Sequence, residues 1–355
     1  MIVYSVMTVI SLFFSIYAQN TKPYPALRNT YRLLAVCSAI PFIAVSVFRY
    51  EVGIDWNYVY SPYYYYINHG IDQYKEIGFN FLNRFFYLFT ENSWILFAFV
   101  GFVTNLLFFL AFYEQSDSIP FSILLYLLMS VYFASLNQIR QMLAMAIFVY
   151  ALKHVYSRKW KSYFLLILLA STIHISSLMY IPVFFLYGKK LTVKQAITIL
   201  TACVLGLPVL KIAIIGIVSL TSYGWYLSSA FSQNNFYLLG FLVNFVFLLF
   251  HILFLYIDET TQSENPHLPF MTCMMLISTI ILLLSAVIPQ ISRVADGFSV
   301  IQLFSLPQLI KNEKNGKMRL LCILLVLSVY GVKFLYDTYV NQWHGVLPYL
   351  TIFSR

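Results

Sequence analysis

The sequence predicts an all-α, polytopic integral membrane protein with about 10–12 transmembrane helices, one of them broken or re-entrant near His174. Three observations lead there. Of the 355 residues 61% are hydrophobic and only 10% charged, with a mean hydropathy of +0.77, a composition outside the range of soluble domains. Apolar runs close to the roughly 20 residues that cross a hydrocarbon core recur along the chain. The few ionisable residues stand mostly at the ends of those runs. No stretch is polar enough to fold apart in water, so residues 1–355 read as a single integral membrane domain.

The elements follow in order. Residues 2–18 lack a basic n-region and an A-x-A-like exit, so they read as a first span and not as a cleaved signal. A second run, 33–48, leads into a long segment, 49–92. Within it, residues 79–90 place apolar side chains densely enough for a helix lying in the membrane interface, with Asn80, Asn83 and Arg84 as its polar part. Runs at 94–113, 120–136 and 141–156 come next. The stretch 162–187 is interrupted near His174 and again by Pro182. At about 1.5 Å per residue neither half crosses a core of about 30 Å unless tilted or re-entrant. Broken backbone at that depth is tolerated only against protein or a watery cavity. Runs at 195–219, 236–257, 269–288, 297–310 and 320–340 complete the series.

Basic residues orient these spans. Lys22, Arg28 and Arg32, then Lys153, Arg158, Lys159 and Lys161, then Lys189, Lys190 and Lys194, then Lys311, Lys314, Lys317 and Arg319 make fourteen of the 22 Lys and Arg. All fall on one side if the N-terminus is outside and the broken stretch enters and returns. The positive-inside rule makes that side cytoplasmic. The net charge of +9 then reports loop charges and not a nucleic-acid partner. The same parity puts the 49–92 segment, the start of the 141–156 span, the His174 break and the 289–296 loop on the opposite, external face. Four charged clusters from distant parts of the chain share a side.

Each cluster carries groups suited to chemistry, and each has a plainer reading. FRYEVGIDWNYVY (48–60) holds Arg49, Glu51, Asp55 and Trp56. A guanidinium binds phosphate through paired donors, carboxylates accept protons or orient sugar hydroxyls, and Trp56 with the neighbouring tyrosines can stack on sugar faces. The plainer reading is an interfacial arginine within an aromatic belt. KEIGFNFLNR (75–84) places Glu76 ahead of the interfacial helix, where a carboxylate also suits the helix dipole. NQIRQMLAMAI (137–147) puts Arg140 and Gln141 at the mouth of a span, and small residues at helical spacing direct Arg140 inward. The alternative is a snorkelling side chain. In IHISS (173–177) His174 is a titratable imidazole at the break. PQISRVADGFS (289–299) carries Arg293 and Asp296, three apart and able simply to pair. Lys333 and Asp337 look like a packing pair in the last span. His69, His154, His251, His267 and His344 read as loop or interface residues.

Other chemistries lack their residues. Cys37, Cys203, Cys273 and Cys322 have no paired spacing, so neither a disulfide framework nor a zinc site is expected. There is no Walker-type GxxxxGK[ST], no GxGxxG after a strand, no metal-ligand cluster and no G-x-S-x-G elbow. No metal and no cofactor are expected.

Taken together and in order, FRYEVGIDWNYVY, KEIGFNFLNR, NQIRQMLAMAI and STIHISSLMYIP resemble the EpsG family of bacterial exopolysaccharide proteins, grouped with the Wzy-type O-antigen and capsule repeat-unit polymerases. The resemblance is strongest over residues 45–190. It implies a glycosyltransferase in the bacterial plasma (inner) membrane with its site on the extracytoplasmic side. Such an enzyme transfers a growing glycan from undecaprenyl pyrophosphate to a lipid-linked repeat unit. Its partners are those lipid-linked oligosaccharides, membrane lipids, and a chain-length regulator and flippase of the same pathway. By position in the motifs Arg49, Asp55, Arg140 and His174 are the family-like residues; Arg293 and Asp296 enter by topology. On this reading Arg49, Arg140 and Arg293 face the diphosphate, with Glu51, Trp56, Glu76 and Gln141 in the same substrate site. His174, Asp55 or Asp296 serves as base. Two other classes remain: an O-antigen ligase-like transferase with another acceptor, and a lipid-linked glycan flippase that performs no chemistry. Transporters more often carry inverted repeats and a midplane site.

Overall fold

The computed structural model describes residues 1–71, 75–220, 224, 236–261, 265–286, 288 and 291–353. Among them helices are the only regular elements, with one isolated antiparallel bridge, Arg49 to Thr351. The all-α membrane class is therefore the observed one. Five helices are long and apolar enough to cross a membrane, or up to seven if two bent pairs each count as one span. Three further apolar helices run 10–17 residues, so much of what the apolar runs suggest as long spans exists as shorter pieces. The helices form two compact units, one from Met1–Phe184 with Leu306–Arg355 and one from Phe185–Ser305.

In the first unit α1 (Ile2–Thr21) and α2 (Arg28–Phe48) pair, and Ser11 donates to the Ser38 carbonyl at 2.7 Å. Helix α5 (Trp94–Gln115) packs on α2 and on α8 (Ile139–Tyr156). Helix α8 is buried along most of its length, from Met142 to Val155, with Ala144, Ala146 and Ala151 allowing close backbone approach. The 120–136 run is a bent pair, α6 (Ile119–Leu128) and α7 (Val131–Asn137), turned by 55°. Ser130 makes the bend in the left-handed region at φ 62°. Helix α9 (Trp160–Ile173) stops at His174, whose backbone is extended, and a 3-10 turn, Ile175–Tyr180, follows. The break predicted near His174 is present.

Between α2 and α5 the chain makes a π-helical turn, Trp56–Tyr60, then α3 (Ser61–Asn68) and α4 (Ile77–Tyr87). Helix α4 is two-sided, but part of its polar side points inward. Asn83 is fully buried and donates to the Phe79 carbonyl at 2.7 Å, and Asn80 accepts from the Tyr63 hydroxyl at 2.6 Å. Ile77, Phe81 and Phe85 are exposed instead. A polar group finds partners in the protein and none in hydrocarbon, so this arrangement suits a lipid-facing interfacial helix.

The last long helix, α17 (Gly316–Leu335), passes into a second π-helical turn, Tyr336–Val340. The residues after it form a strap along the 48–54 segment. Ile352 N–H donates to Phe48 O, Tyr50 to Leu350 O, Gly53 to Gly345 O and Ile54 to His344 O, all at 3.0–3.3 Å. The hydroxyls of Tyr349 and Tyr4 fasten this region to Val45 O and Val346 O.

The second unit contains α10 (Val183–Leu186) at its edge, α11 (Val193–Leu205), α12 (Leu207–Ser219), α13 (Leu238–Thr261), α14 (Leu268–Leu284) and α15 (Ser292–Ser299). Helices α11 and α12 meet at 68° around Gly206 and Pro208, where proline removes a ladder donor. The 297–310 run is divided between α15 and α16 (Gln302–Asn312). A polar network ties this unit internally. Asn244 donates to Thr279 at 2.8 Å and Gln302 to Asn244 at 3.3 Å. His251 is not a loop or interface residue: it is fully buried, with Nδ1–H donating to Phe247 O at 2.7 Å and Nε2 2.8 Å from the Ser305 hydroxyl. Such bonds hold apolar helices together where burial alone offers little preference over lipid.

Candidate active site

Three segments far apart in sequence meet at Glu76. It sits at the N-terminus of α4, Arg140 on the first turn of α8, and His174 at the end of α9. The Arg140 guanidinium donates from Nη1 to Glu76 Oε2 at 3.2 Å. The His174 Nδ1 lies 3.6 Å from Glu76 Oε1, and the Ile175 N–H reaches the same oxygen at 3.5 Å. The side chains of Glu76, Arg140 and His174 are 10%, 14% and 19% exposed, so they are shielded yet open to a ligand. Arg140 also lies over the Phe79 ring, 5.8 Å from its centre.

The Glu76 carboxyl is held below the ordinary carboxylate range. Burial alone pushes it up, and the approach of His174 with the Arg140 charge outweighs that. Glu76 is thus a fixed anion at neutral pH and not a proton donor. It fixes the guanidinium and engages the Nδ1 side of the imidazole, leaving Nε2 as the other ring nitrogen for proton transfer.

Gly78 makes the approach of α4 to α9 possible. A Cβ there would overlap Thr172 Oγ1 and stand 2.9 Å from Thr172 Cβ. Gly78→Ala therefore forces α4 away from α9 and separates Glu76 from His174. A misplacement of about 1 Å can cost on the order of a hundredfold in rate. We expect Gly78→Ala to lose activity and Gly78→Ala/Thr172→Gly, which removes both the hydroxyl and the Cβ in the way, to regain part of it, measured in membranes at equal expression. An inactive double variant with normal expression contradicts this packing account.

The 48–60 motif lies elsewhere in the same unit. Arg49 is fully buried. Its Nη1 donates to Ser46 O at 2.6 Å and Ser46 Oγ at 2.9 Å, while Nε and Nη2 have no partner among the described residues. The guanidinium lies 5.7 Å from the centre of the Trp56 ring and 5.8 Å from that of Phe97. Trp56 is itself buried, stacked on Phe97 at 3.5 Å, so its face is taken by protein and not open to a sugar. Tyr60 contacts both Phe97 and Phe79. Arg49 and Arg140 therefore stand at two ends of one aromatic core. Asp55 is half-buried, and its N–H donates to Asn137 Oδ1 at 2.8 Å. Glu51 is exposed on a left-handed turn at φ 55°. Gln141 is half-buried beside Arg140 on α8. Arg293 and Asp296 belong to the second unit, both exposed on α15; residues 289 and 290 of their motif lie outside the described residues.

Sequence reasoning missed Asn137, Thr172 and the closing strap. Asn137 was in view inside NQIRQ, but its bond to Asp55 spans 82 positions and leaves no local signature. Gly78 had a signal, since glycine near the start of a helix often marks close backbone approach. Among the described residues no group of three His, Cys, Asp or Glu side chains is placed to share a metal ion.

What the Glu76 constellation offers is a cation aimed by a carboxylate, next to a titratable ring. No curated protein and no solved structure matches this chain significantly. The profile of the EpsG family matches residues 32–351, which include every residue of the site, and the chain therefore belongs to the EpsG family, a family of polysaccharide polymerases.

Proposed function

We propose that this protein is a repeat-unit polymerase. It transfers a growing glycan from undecaprenyl pyrophosphate to a hydroxyl of a second lipid-linked repeat unit, on the extracytoplasmic face of the bacterial inner membrane. The observation that carries the reading is the meeting of Arg140 and His174 on the one carboxylate of Glu76. The acceptor O–H gives its proton to His174, its oxygen bonds to the anomeric carbon, and the bond from that carbon to the diphosphate oxygen breaks. The electron pair leaves on the lipid diphosphate, where Arg140 meets the developing charge. The donor is already activated, so the step needs no sugar nucleotide. Within the first unit Asp55 stays as another candidate for the base and Arg49 as a further diphosphate ligand; for Asp296 and Arg293, on the second unit, the same roles rest on the sequence alone. Glu51 and Gln141 stay as contacts to the glycan, and Trp56, covered by Phe97, as a support for Arg49. A chain-length regulator and a flippase of the same pathway are the protein partners that fit.

Reconstituted in liposomes with a lipid-linked repeat unit as sole substrate, the protein should yield a ladder of longer lipid-linked glycans. Single units that stay single, or that only change leaflet, overturn the reading in favour of a ligase or a transporter. The sidedness rests on the basic residues, and labelling of introduced cysteines in intact cells should reach Asn68→Cys and spare Lys159→Cys. The reverse pattern places the site in the cytoplasm and excludes this substrate.

A further inference from the structure

A second polar site lies in the first unit, away from Glu76. Ser130 and Phe133, at the bend into α7, face a cavity of about 60 Å³ completed by Asp337 and Thr338 of the last π-helical turn and by His344 and Val346 of the strap. The Ser130 and Thr338 hydroxyls are buried and have no hydrogen-bond partner among the described residues. Buried hydroxyls are nearly always satisfied in folded proteins, so two on residues that line one cavity call for a polar occupant, water or ligand. Asp337 accepts from Lys333 Nζ at 2.6 Å, and its carboxylate oxygens have room for further hydrogen bonds. Two lining residues, Ser130 at φ 62° and Gln342 at φ 47°, hold left-handed backbone that non-glycine residues seldom adopt. Strain of this kind gathers at ligand clamps.

Size and chemistry narrow the ligand. At about 10–15 Å³ for each water-sized position, the cavity takes roughly four to six heavy atoms, fewer than a whole sugar with its substituents. We propose that it is a subsite for the acetamido group of a 2-acetamido sugar in the glycan. That group has four heavy atoms: a carbonyl oxygen for the hydroxyls of Ser130 and Thr338, an N–H for the Asp337 carboxylate, and a methyl for the wall of Phe133 and Val346. The ring stays outside, where Tyr339 at the rim and Trp343 next to it in the strap are exposed and offer aromatic faces to a pyranose. The proposal rests on the polymerase reading for the kind of ligand, and it makes this region a determinant of which repeat unit is accepted.

Saturation-transfer NMR on the full-length protein in nanodiscs, with N-acetylglucosamine and glucose as probes, tests it. N-acetylglucosamine should bind about tenfold more tightly, the scale of one or two hydrogen bonds to buried groups, with its methyl protons the most strongly saturated. Thr338→Val and Ser130→Gly should each bring its binding toward that of glucose without lowering the melting temperature, because neither hydroxyl has a partner in the empty protein and glycine suits the backbone at position 130. Thr338→Ser should restore it. Equal binding of the two sugars, or unchanged binding in both variants, means the cavity holds water only and overturns the proposal. Arg140→Lys should leave this binding intact, so failure here is distinct from failure of the polymerase reading.

Discussion

Arg140→Lys keeps expression and membrane insertion but removes long chains, so that single repeat units accumulate outside the membrane. Lysine preserves the charge and loses the planar paired donors, so it cannot both hold Glu76 and present a second N–H pair to a diphosphate. Removing one donor aimed at developing charge costs about 2.7–4 kcal/mol of barrier, on the order of a hundredfold or more in rate. Glycan electrophoresis gives the chain-length distribution, and the leaflet holding the single units gives the class of protein. Normal chain lengths in Arg140→Lys show that the guanidinium is only an anchor for α8. Single units trapped in the cytoplasmic leaflet identify a flippase.

That residue shows what the sequence could and could not reveal. Arg140 was marked by its place at the mouth of an apolar run with small residues on one helical face, and the structure puts it on the buried helix α8 against Glu76. The break at His174 was marked because an imidazole and Pro182 interrupt a stretch otherwise apolar enough to span. Both signals are local, and local signals survive in a string of residues. The bend in 120–136 was invisible because it depends on one serine, Ser130, taking a left-handed backbone that serine does not favour. The strap was invisible for another reason. Its bonds run from residues 344–352 to residues 48–54, and backbone pairing across some 300 positions carries no side-chain pattern. Trp56 shows the same limit from the other side. A tryptophan in a loop of tyrosines suits a sugar platform as well as a core, and only Phe97, stacked on it from α5, decides for the core.

Arg49→Met should hold or raise the melting temperature of the purified protein while reducing chain growth by at least about tenfold. Arg49 has no carboxylate partner in the salt bridges of the described residues, and two of its three nitrogens lack hydrogen bonds. A desolvated cation over aromatic rings regains about 2 kcal/mol, against a burial penalty of several kcal/mol. Methionine is close in length, packs against Trp56 and Phe97, and removes that penalty; replacing a buried ion by an apolar side chain of similar volume is neutral or stabilising by about 1–4 kcal/mol. Arg49→Ala instead leaves a cavity under the stacked rings and should lower the melting temperature, as truncations of large buried side chains do by about 2–5 kcal/mol. The pair of variants separates charge from volume. If Arg49→Met melts lower than the wild type, the guanidinium is a keystone of the 48–56 turn and its loss of activity says nothing about substrate. If it melts as high and still builds full-length polymer, Arg49 takes no part in holding the diphosphate, and Arg140 is left as the cation of the first unit that does.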